Sequence, residues 1–262
     1  MIQHILVTGE GPTDIGYSIT GQDISTNDLG ADDEFCKGPF YRLLERMLLR
    51  FMPNWNSDQY DEANPISTSY VSHGYLSRRS KELAKGNKKF RFAGKDMPKG
   101  FTGLTKQSTE LAKLATALGC QMAFYFHDTD GNNQDKSSVS RLQEKMVNAA
   151  KQGFVSGGFE NCIAMVPKPT SEAWLICSCK DNAYDACGNL ERTLSGNDDS
   201  PPEQSPKLVL ENIIGAAYTD PILHQKIEEL DIGRMDMPSF NQFRDDMKQA
   251  IRNICGEFEE LQ

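Results

Sequence analysis

A short apolar and aromatic run, Met122–Phe126, constrains the fold of this chain more than any other stretch. Its composition predicts a buried β-strand, which Gly131 and the two asparagines after it end abruptly. Asp128 and Asp130 therefore lie where a strand opens into a loop. Because residues i and i+2 of an extended chain point the same way, both carboxylates project from one face, about 7 Å apart along the backbone.

Two interpretations of this Asp-x-Asp pair are open. Like charges on one face repel each other, and a hard divalent cation such as Mg²⁺ removes that repulsion by taking oxygen from both. A polar strand end followed by an Asp-Gly turn has the same pattern. The positions of other carboxylates in the chain decide between a metal site and a turn.

A third carboxylate follows the predicted first strand, residues 2–8. This strand ends in a turn of sequence Gly-Glu-Gly-Pro-Thr-Asp, which contains Glu10 and Asp14. The turn lacks a glycine that a dinucleotide fingerprint requires, and it lacks the Gly-Lys-Ser/Thr ending of a Walker A loop. Glu10 is thus either a solvated turn residue or an acid placed at a strand end for a ligand.

A fourth carboxylate follows a predicted strand at residues 162–166. Thr170 or Ser171 is expected to cap the next helix, with Glu172 in its first turn. The helix dipole favours glutamate at this position in any case. Yet this too is a strand-to-helix junction, the same kind of position that the other acids occupy.

Strands and helices alternate up to this point, and this order predicts a mostly parallel sheet with helices on both faces. The carboxyl ends of parallel strands meet at one edge, so we expect Glu10, Asp128, Asp130 and Glu172 to form a metal site there. Residues 17–34, which are polar, are expected to be a loop. The predicted strands are 2–8, 66–72, 122–126 and 162–166, and the predicted helices begin at Pro39, cover 75–85 and 107–118, and run from Ser137 or Ser138 to Gly153.

Beyond residue 180 the pattern becomes helical. Helices are predicted over 206–214, 221–230 and 238–258, and the last carries one apolar stripe. We therefore expect an α/β domain over residues 1–180 and a helical C-terminal subdomain over 181–262 that packs on it.

The charge balance inverts between residues 78 and 113, which contain 11 Lys or Arg and 3 Asp or Glu. The net charge of −9 argues against nucleic-acid binding by the whole surface, but it leaves room for a local basic track. A solvated helix face followed by a mobile loop would have the same composition. The residues expected to contact a phosphate backbone are Arg78, Arg79, Lys88, Lys89, Arg91 and Lys95.

Cysteine content and hydropathy indicate the compartment. Seven cysteines without regular spacing are typical of reduced thiols. Cys177 and Cys179 are two apart on a predicted helix and face away from each other, which disfavours a zinc site. No apolar run approaches the roughly 20 residues that span a bilayer, and residues 1–8 begin a strand, so we expect a cytoplasmic protein without a membrane partner.

The chain resembles the TOPRIM (topoisomerase-primase) superfamily in three motifs: Val-Thr-Gly-Glu-Gly-Pro-Thr-Asp, Phe-His-Asp-Thr-Asp-Gly and Pro-Thr-Ser-Glu-Ala-Trp-Leu. The resemblance is closest to the overcoming-lysogenization-defect (OLD) nucleases and to small stand-alone TOPRIM proteins of prokaryotic defence operons. It spans residues 1 to about 175, with echoes at 194–197 and 205–207. Thr8-Gly9 departs from the branched apolar residue that often precedes the glutamate motif, and the basic segment at about 78–106 looks like an insertion.

The resemblance implies roles for particular residues. It makes Glu10 the first-strand glutamate, Asp128 and Asp130 the Asp-x-Asp pair, and Glu172 the additional acid of the nuclease branch. Asp14 matches an acidic position after the glutamate. Lys207, with Lys168 as its competitor, matches the lysine near the scissile phosphate. One or two Mg²⁺ or Mn²⁺ ions would be held by Glu10, Asp14, Asp128, Asp130 and Glu172.

The function expected from this resemblance is metal-dependent hydrolysis of DNA or RNA, as the effector of an anti-phage system. Related proteins often accompany an ABC-type ATPase, which would be the partner here. Two alternatives stay open: a nucleotidyl or glycosyl transferase that uses Asp-x-Asp to hold a metal and a nucleotide diphosphate, and a non-catalytic TOPRIM-like module that regulates a partner.

Overall fold

The structure is a computed structural model that describes residues 2–11, 14–27, 34–52, 66–86, 100–129, 139–197, 199–217 and 219–256. Within these ranges the fold is α/β, with a mixed, mostly parallel sheet. The strands are β1 His4–Thr8, β2 Gly16–Ser18, β3 Ile24–Asn27, β4 Phe35–Lys37, β5 Ser67–Val71, β6 Met122–Phe126 and β7 Cys162–Met165. The helices are α1 Pro39–Phe51, α2 His73–Gly86, α3 Thr102–Ala117, α4 Val139–Gly157, α5 Glu172–Cys179, α6 Leu190–Thr193, α7 Pro206–Ile214, α8 Asp220–Glu229 and α9 Pro238–Cys255.

The main sheet has the strand order β3-β5-β1-β6-β7. Strand β1 is central and pairs in parallel with β5 and with β6, and β6 pairs in parallel with β7. From β1 the chain passes to β3 and then β5 on one side of the sheet, and it returns past β1 to β6 on the other side. The carboxyl ends of β1 and β6 therefore flank a topological switch point, where open α/β sheets bind ligands.

Side chains that alternate along the central strands fill two cores on opposite faces of the sheet. Ile5, Val7 and Phe124 belong to the core that includes residues of α1, α5 and α9. Leu6 and Tyr125 belong to the core that includes residues of α2, α3 and α4. The prediction of a mostly parallel sheet with helices on both faces is confirmed.

The prediction of a loop over residues 17–34 is wrong for its described part, because strand β3 and two of the three residues of β2 lie in this range. β3 is an edge strand that pairs antiparallel with β5, with Ile24 opposite Val71. Its polar side chains contact polar partners: Thr26 Oγ1 lies 2.8 Å from Ser69 Oγ. An edge strand of this kind lacks the apolar alternation on which the sequence prediction depended.

Helix α4 continues through Gly153, where the sequence analysis placed its end, and ends at Gly157. The close packing of α4 on α3 explains the difference. A Cβ atom on Gly153 would lie 2.4 Å from Thr105 O, and one on Gly157 would lie 2.5 Å from Ala112 Cβ. Gly158, with a φ of +76°, follows the helix instead. The predicted start at Ser137 or Ser138 lies outside the described residues.

The C-terminal helices pack on the sheet through a buried tryptophan. The Trp174 ring of α5 lies 5.1 Å from Phe240 and 6.0 Å from Phe243 of α9, between ring centroids. Trp174 Nε1 donates a hydrogen bond to Ser239 Oγ (2.9 Å), and Ser239 donates two to Glu191 Oε1. Residues on both sides of position 180 share one core, and the predicted division into two units at that position stays a prediction.

Two further observations concern the cysteines and the membrane. Cys177 and Cys187 form a disulfide, so the prediction that all seven cysteines are reduced is wrong for this pair. The remaining five are free thiols.

Across the described ranges, no helix has both the length and the apolar character that crossing a membrane requires.

Candidate active site

Two of the expected acids meet at the switch point. Glu10 follows β1 and Asp128 follows β6, and these strands are neighbours. Glu10 Oε2 accepts a hydrogen bond from the backbone N–H of Asp128, at 3.1 Å. The same oxygen lies 3.0 Å from His127 Nδ1. The expected closeness of Glu10 and Asp128 is therefore present.

The surroundings of Glu10 favour its charged form. Burial raises its pKa, but the hydrogen bond and positive charge of His127 lower it, as do the Asp128 N–H and the charge of His73. The pKa of Glu10 is lowered overall. Glu10 is thus a carboxylate at neutral pH.

Asp14 lies in a tight turn after Glu10. The Asp14 N–H donates to Gly11 O at 3.3 Å, and the Gly11 N–H donates to Asp14 Oδ2 at 3.1 Å. Asp14 O accepts a hydrogen bond from the Phe40 N–H in the first turn of α1, at 2.9 Å. The main chain at Asp14 is therefore held by hydrogen bonds within the turn and to α1.

The pKa of Asp14 is raised to about 7. Burial is the largest cause, followed by the negative charge of Glu172. The charge of Glu10 also raises it, whereas the Gly11 N–H and the positive charge of Lys207 lower it. Two acids and one lysine, brought from three distant parts of the chain, thus act electrostatically on Asp14.

Glu172 begins α5 and is buried, with 3% of its surface exposed. The preceding loop is bound to the end of β6. Thr129 donates two hydrogen bonds to Pro169 O, from N–H at 3.1 Å and from Oγ1 at 2.9 Å, and the Ser171 N–H donates to Asp128 Oδ1 at 3.1 Å. The start of α5 is therefore held against Asp128.

The two candidate lysines differ in their neighbours. The charge of Lys207, in the first turn of α7, acts on Asp14. The charge of Lys168 acts on the buried Glu191, where it opposes the raising effect of burial on the pKa. Lys207 is therefore the better candidate for a lysine of this site.

The chemistry of these acids suits a divalent cation, because carboxylate oxygens are the ligands that Mg²⁺ and Mn²⁺ prefer. A bound cation would relieve the repulsion from Glu172 and Glu10, which adds to the effect of burial in raising the pKa of Asp14. No group of three or more His, Cys, Asp or Glu residues is arranged to hold a metal ion within the described part of the chain. Glu10, Asp14, Asp128 and Glu172 belong to that part and do not form such a group, and Asp130 lies outside it, so the metal site stays a prediction.

Two histidines that the sequence analysis missed, His127 and His73, lie beside Glu10 and beside each other. The rings of His127 and His73 lie 6.2 Å apart. His73 Nε2 lies 3.2 Å from Gln107 Oε1, to which Tyr125 donates a hydrogen bond of 2.7 Å. His73 comes just after β5 and His127 just after β6. Their positions at the carboxyl ends of strands were the sequence signal that could have found them.

The predicted basic track lies mostly outside the described residues, which exclude Lys88, Lys89, Arg91 and Lys95. Arg78 forms an ion pair with Asp23, next to the end of β5. Arg79 pairs with Glu82 at 3.1 Å and with Glu110 at 3.6 Å. Both arginines are about half exposed, and their charges are partly offset. Nucleic-acid contact by this segment stays a prediction.

Comparisons with protein-family models, curated proteins and solved structures found no match for this chain. The fold and the site by themselves define an α/β protein in which Glu10 contacts the backbone of Asp128 at the switch point of a mostly parallel sheet.

Proposed function

We propose that this protein is a metal-dependent phosphodiester hydrolase, a nuclease that cleaves DNA or RNA. The observation that supports it most strongly is the electrostatic coupling of Asp14 to Glu172, Glu10 and Lys207. Metal-dependent phosphoryl transfer uses several acids and a positively charged side chain at one site, and a switch point is where such a site is expected.

Hydrolysis of a phosphodiester needs an activated water, neutralisation of phosphate charge and a stabilised leaving oxygen. One or two Mg²⁺ or Mn²⁺ ions would supply these by acting as Lewis acids and lowering the pKa of bound water. The residues that would hold them are Glu10, Asp14, Asp128, Asp130 and Glu172.

The protein's own groups would act in distinct ways. Glu10, whose pKa is lowered, is a charged ligand, or a general base if a single ion binds elsewhere in the cluster. Lys207 would place a fixed positive charge beside the phosphate, where negative charge develops in the transition state. Ser171 N–H would orient Asp128 through its hydrogen bond to Oδ1.

The resemblance to the OLD-like TOPRIM nucleases supports a narrower form of the proposal. In that form the chain is an antiviral effector that works in the cytoplasm with an ABC-type ATPase. The basic segment from Arg78 onward would contact the nucleic-acid backbone.

A cleavage assay tests the proposal. The protein is incubated with single- and double-stranded DNA and RNA in Mg²⁺, Mn²⁺ or EDTA, with and without an ATPase encoded next to it. We expect cleavage that requires the metal and that Asp128→Asn lowers by at least about 100-fold. Asp181→Asn, the same change at an exposed carboxylate outside the cluster, serves as the matched control and should retain activity.

The proposal fails if no nucleic acid is cleaved under any of these conditions, or if Asp128→Asn cleaves as fast as the wild type. Tight nucleotide binding with Mn²⁺ in calorimetry, without cleavage, would point instead to the transferase. A complex with a partner that survives loss of metal binding would point to the regulatory module.

A further inference from the structure

A shallow, open cavity of about 420 Å³ adjoins Glu10 and is lined by Glu10, Gly11, Tyr17 and Tyr70. Glu10 thus belongs both to the acid site and to the wall of this cavity. The volume lies in the lower part of the range for small-ligand pockets, ~300–1000 Å³. Its two aromatic walls distinguish it from the acid site itself.

Tyr17 is unusual in its exposure. Of the aromatic side chains in the described residues, it alone is exposed, with 46% of its surface accessible. Large aromatic rings are normally buried or partly covered, so an exposed ring at the rim of a cavity marks a contact site. Tyr70, in contrast, is 8% exposed and stacks on Phe35 with ring centroids 5.0 Å apart. Tyr70 is therefore a fixed wall, and Tyr17 is the accessible one.

The backbone holds Tyr17 in register with the acid site. Asp14 and Tyr17 are three residues apart, and the carbonyls of Asp14 and Ile15 accept hydrogen bonds from the N–H groups of Phe40 and Gly38, both at 2.9 Å. Gly16, with a φ of +123°, lets β2 lie against β4, since a Cβ there would be 2.0 Å from Cys36 O. The turn that carries Asp14 into the cluster thus also presents Tyr17 beside the cavity.

We propose that this cavity binds an unpaired nucleobase of the substrate strand, stacked on Tyr17, next to the phosphate that the acid cluster engages. The inference rests on the proposed nuclease function and adds a substrate class to it, namely nucleic acid with a single-stranded nucleotide at the cleavage site. Aromatic rings bind bases through their π-faces with little sequence preference. A base in a regular duplex is stacked on both faces and paired along one edge, so it is not free to stack on Tyr17.

Binding is measured with short single-stranded oligonucleotides, DNA and RNA, in Ca²⁺, so that affinity is read separately from cleavage. The protein variants are Tyr17→Ala and Tyr17→Phe, with Val155→Ala, an exposed apolar side chain on α4, as the matched control. A second oligonucleotide series replaces one base at a time with an abasic site. Fluorescence of 2-aminopurine at the same positions reports stacking directly.

We expect Tyr17→Ala to weaken single-strand binding by about 5- to 100-fold, the usual effect of losing one aromatic–base stack. Tyr17→Phe and Val155→Ala should bind within about twofold of the wild type, since both keep the Tyr17 position aromatic. One abasic position should weaken wild-type binding and leave no further effect of Tyr17→Ala. Fully paired duplex should bind no tighter to the wild type than to Tyr17→Ala.

The inference is overturned if Tyr17→Ala binds single strands as tightly as the wild type does. It is also overturned if Tyr17→Ala weakens binding by the same factor whichever position of the oligonucleotide is abasic. Cleavage of nucleic acid with an unaffected Tyr17→Ala variant would refute the base site and leave the nuclease proposal standing. Base-dependent binding without cleavage in Mg²⁺ or Mn²⁺ would refute the nuclease and keep the base site.

Discussion

The Glu10 carboxylate accepts a hydrogen bond from the backbone N–H of Asp128, 118 positions later in the chain. The contact joins the ends of two adjacent parallel strands, β1 and β6, at the point where the strand order reverses. The hydrogen bond to Glu10 thus fixes the backbone N–H of Asp128. A change at Glu10 is therefore expected to alter both the charge of the cluster and the position of its neighbour.

Glu10→Gln separates these two effects, because the amide oxygen can still accept the Asp128 N–H while the charge is lost. We expect cleavage to fall by at least about 100-fold and Mn²⁺ affinity to fall with it, since a neutral amide is a poorer ligand than a carboxylate. Kinetics and calorimetry on the same preparation measure both. Glu203→Gln, an exposed acid elsewhere, is the control and should behave as wild type. A folded Glu10→Gln protein with full activity would remove Glu10 from the site.

His127→Ala should raise the pKa of Glu10. Burial, the largest influence, already raises it, and the variant loses the hydrogen bond and charge of His127 that oppose burial. Glu10 must be deprotonated to bind a metal ion, so the pH at which Mn²⁺ affinity is lost should move upward. Calorimetry between about pH 3 and pH 6, on either side of the ordinary glutamate pKa, measures this shift.

His224→Ala serves as the control for this series, because His224 lies on α8 and is absent from the groups that act on Glu10. His73→Ala should give a smaller shift than His127→Ala, since the charge of His73 is the weakest of these influences. If His127→Ala and the wild type lose Mn²⁺ affinity at the same pH, His127 does not lower the pKa of Glu10.

The elements with strong apolar patterns were predictable from sequence. Strand Met122–Phe126 and helix Pro206–Ile214 have the predicted bounds, because a continuous apolar run and a proline at the first helical turn are local signals. Strand β3 was not predictable, since its polar residues form a strand only through pairing with β5. The meeting of Glu10 with Asp128 could be expected from topology alone, whereas the contact of Glu10 with His127 depends on side-chain positions that no sequence pattern encodes.

Gly153 was wrongly predicted to end α4, because the reason for a glycine there is a close contact with Thr105 of α3. Gly153→Ala would place a Cβ 2.4 Å from the Thr105 backbone oxygen and force α4 away from α3. We expect the free energy of unfolding to fall by about 1–3 kcal/mol, with a lower urea midpoint and an unchanged m-value.

Gly103→Ala is the matched control in α3, because a Cβ there would meet no atom within 4 Å. The better helix propensity of alanine should leave it as stable as the wild type or up to about 1 kcal/mol more stable. Equal stability of the two variants would show that the packing of α4 on α3 adapts to the extra methyl group.

Asp14→Asn should make the metal-free protein more stable at high pH and should change it little at low pH. The pKa of Asp14 is about 7 in the folded protein, against an ordinary value of 3.8. Between these two values the folded state holds a proton that the unfolded state has lost, so the stability of the wild type falls as the pH rises from about 4 to about 7 and levels off above that. Asparagine does not titrate, and the variant loses this dependence.

In EDTA, the melting temperature of Asp14→Asn relative to wild type should therefore rise by on the order of 5 °C from pH 5 to pH 8, a figure reduced for the partial exposure of Asp14. Asp181→Asn should show no such trend. Adding Mn²⁺ at pH 8 should stabilise the wild type more than Asp14→Asn, because the cation removes the repulsion between Asp14 and Glu172 that the substitution has already removed. If the two melting curves stay parallel across the pH range and respond equally to Mn²⁺, Asp14 is neither coupled to Glu172 nor a ligand of the cluster.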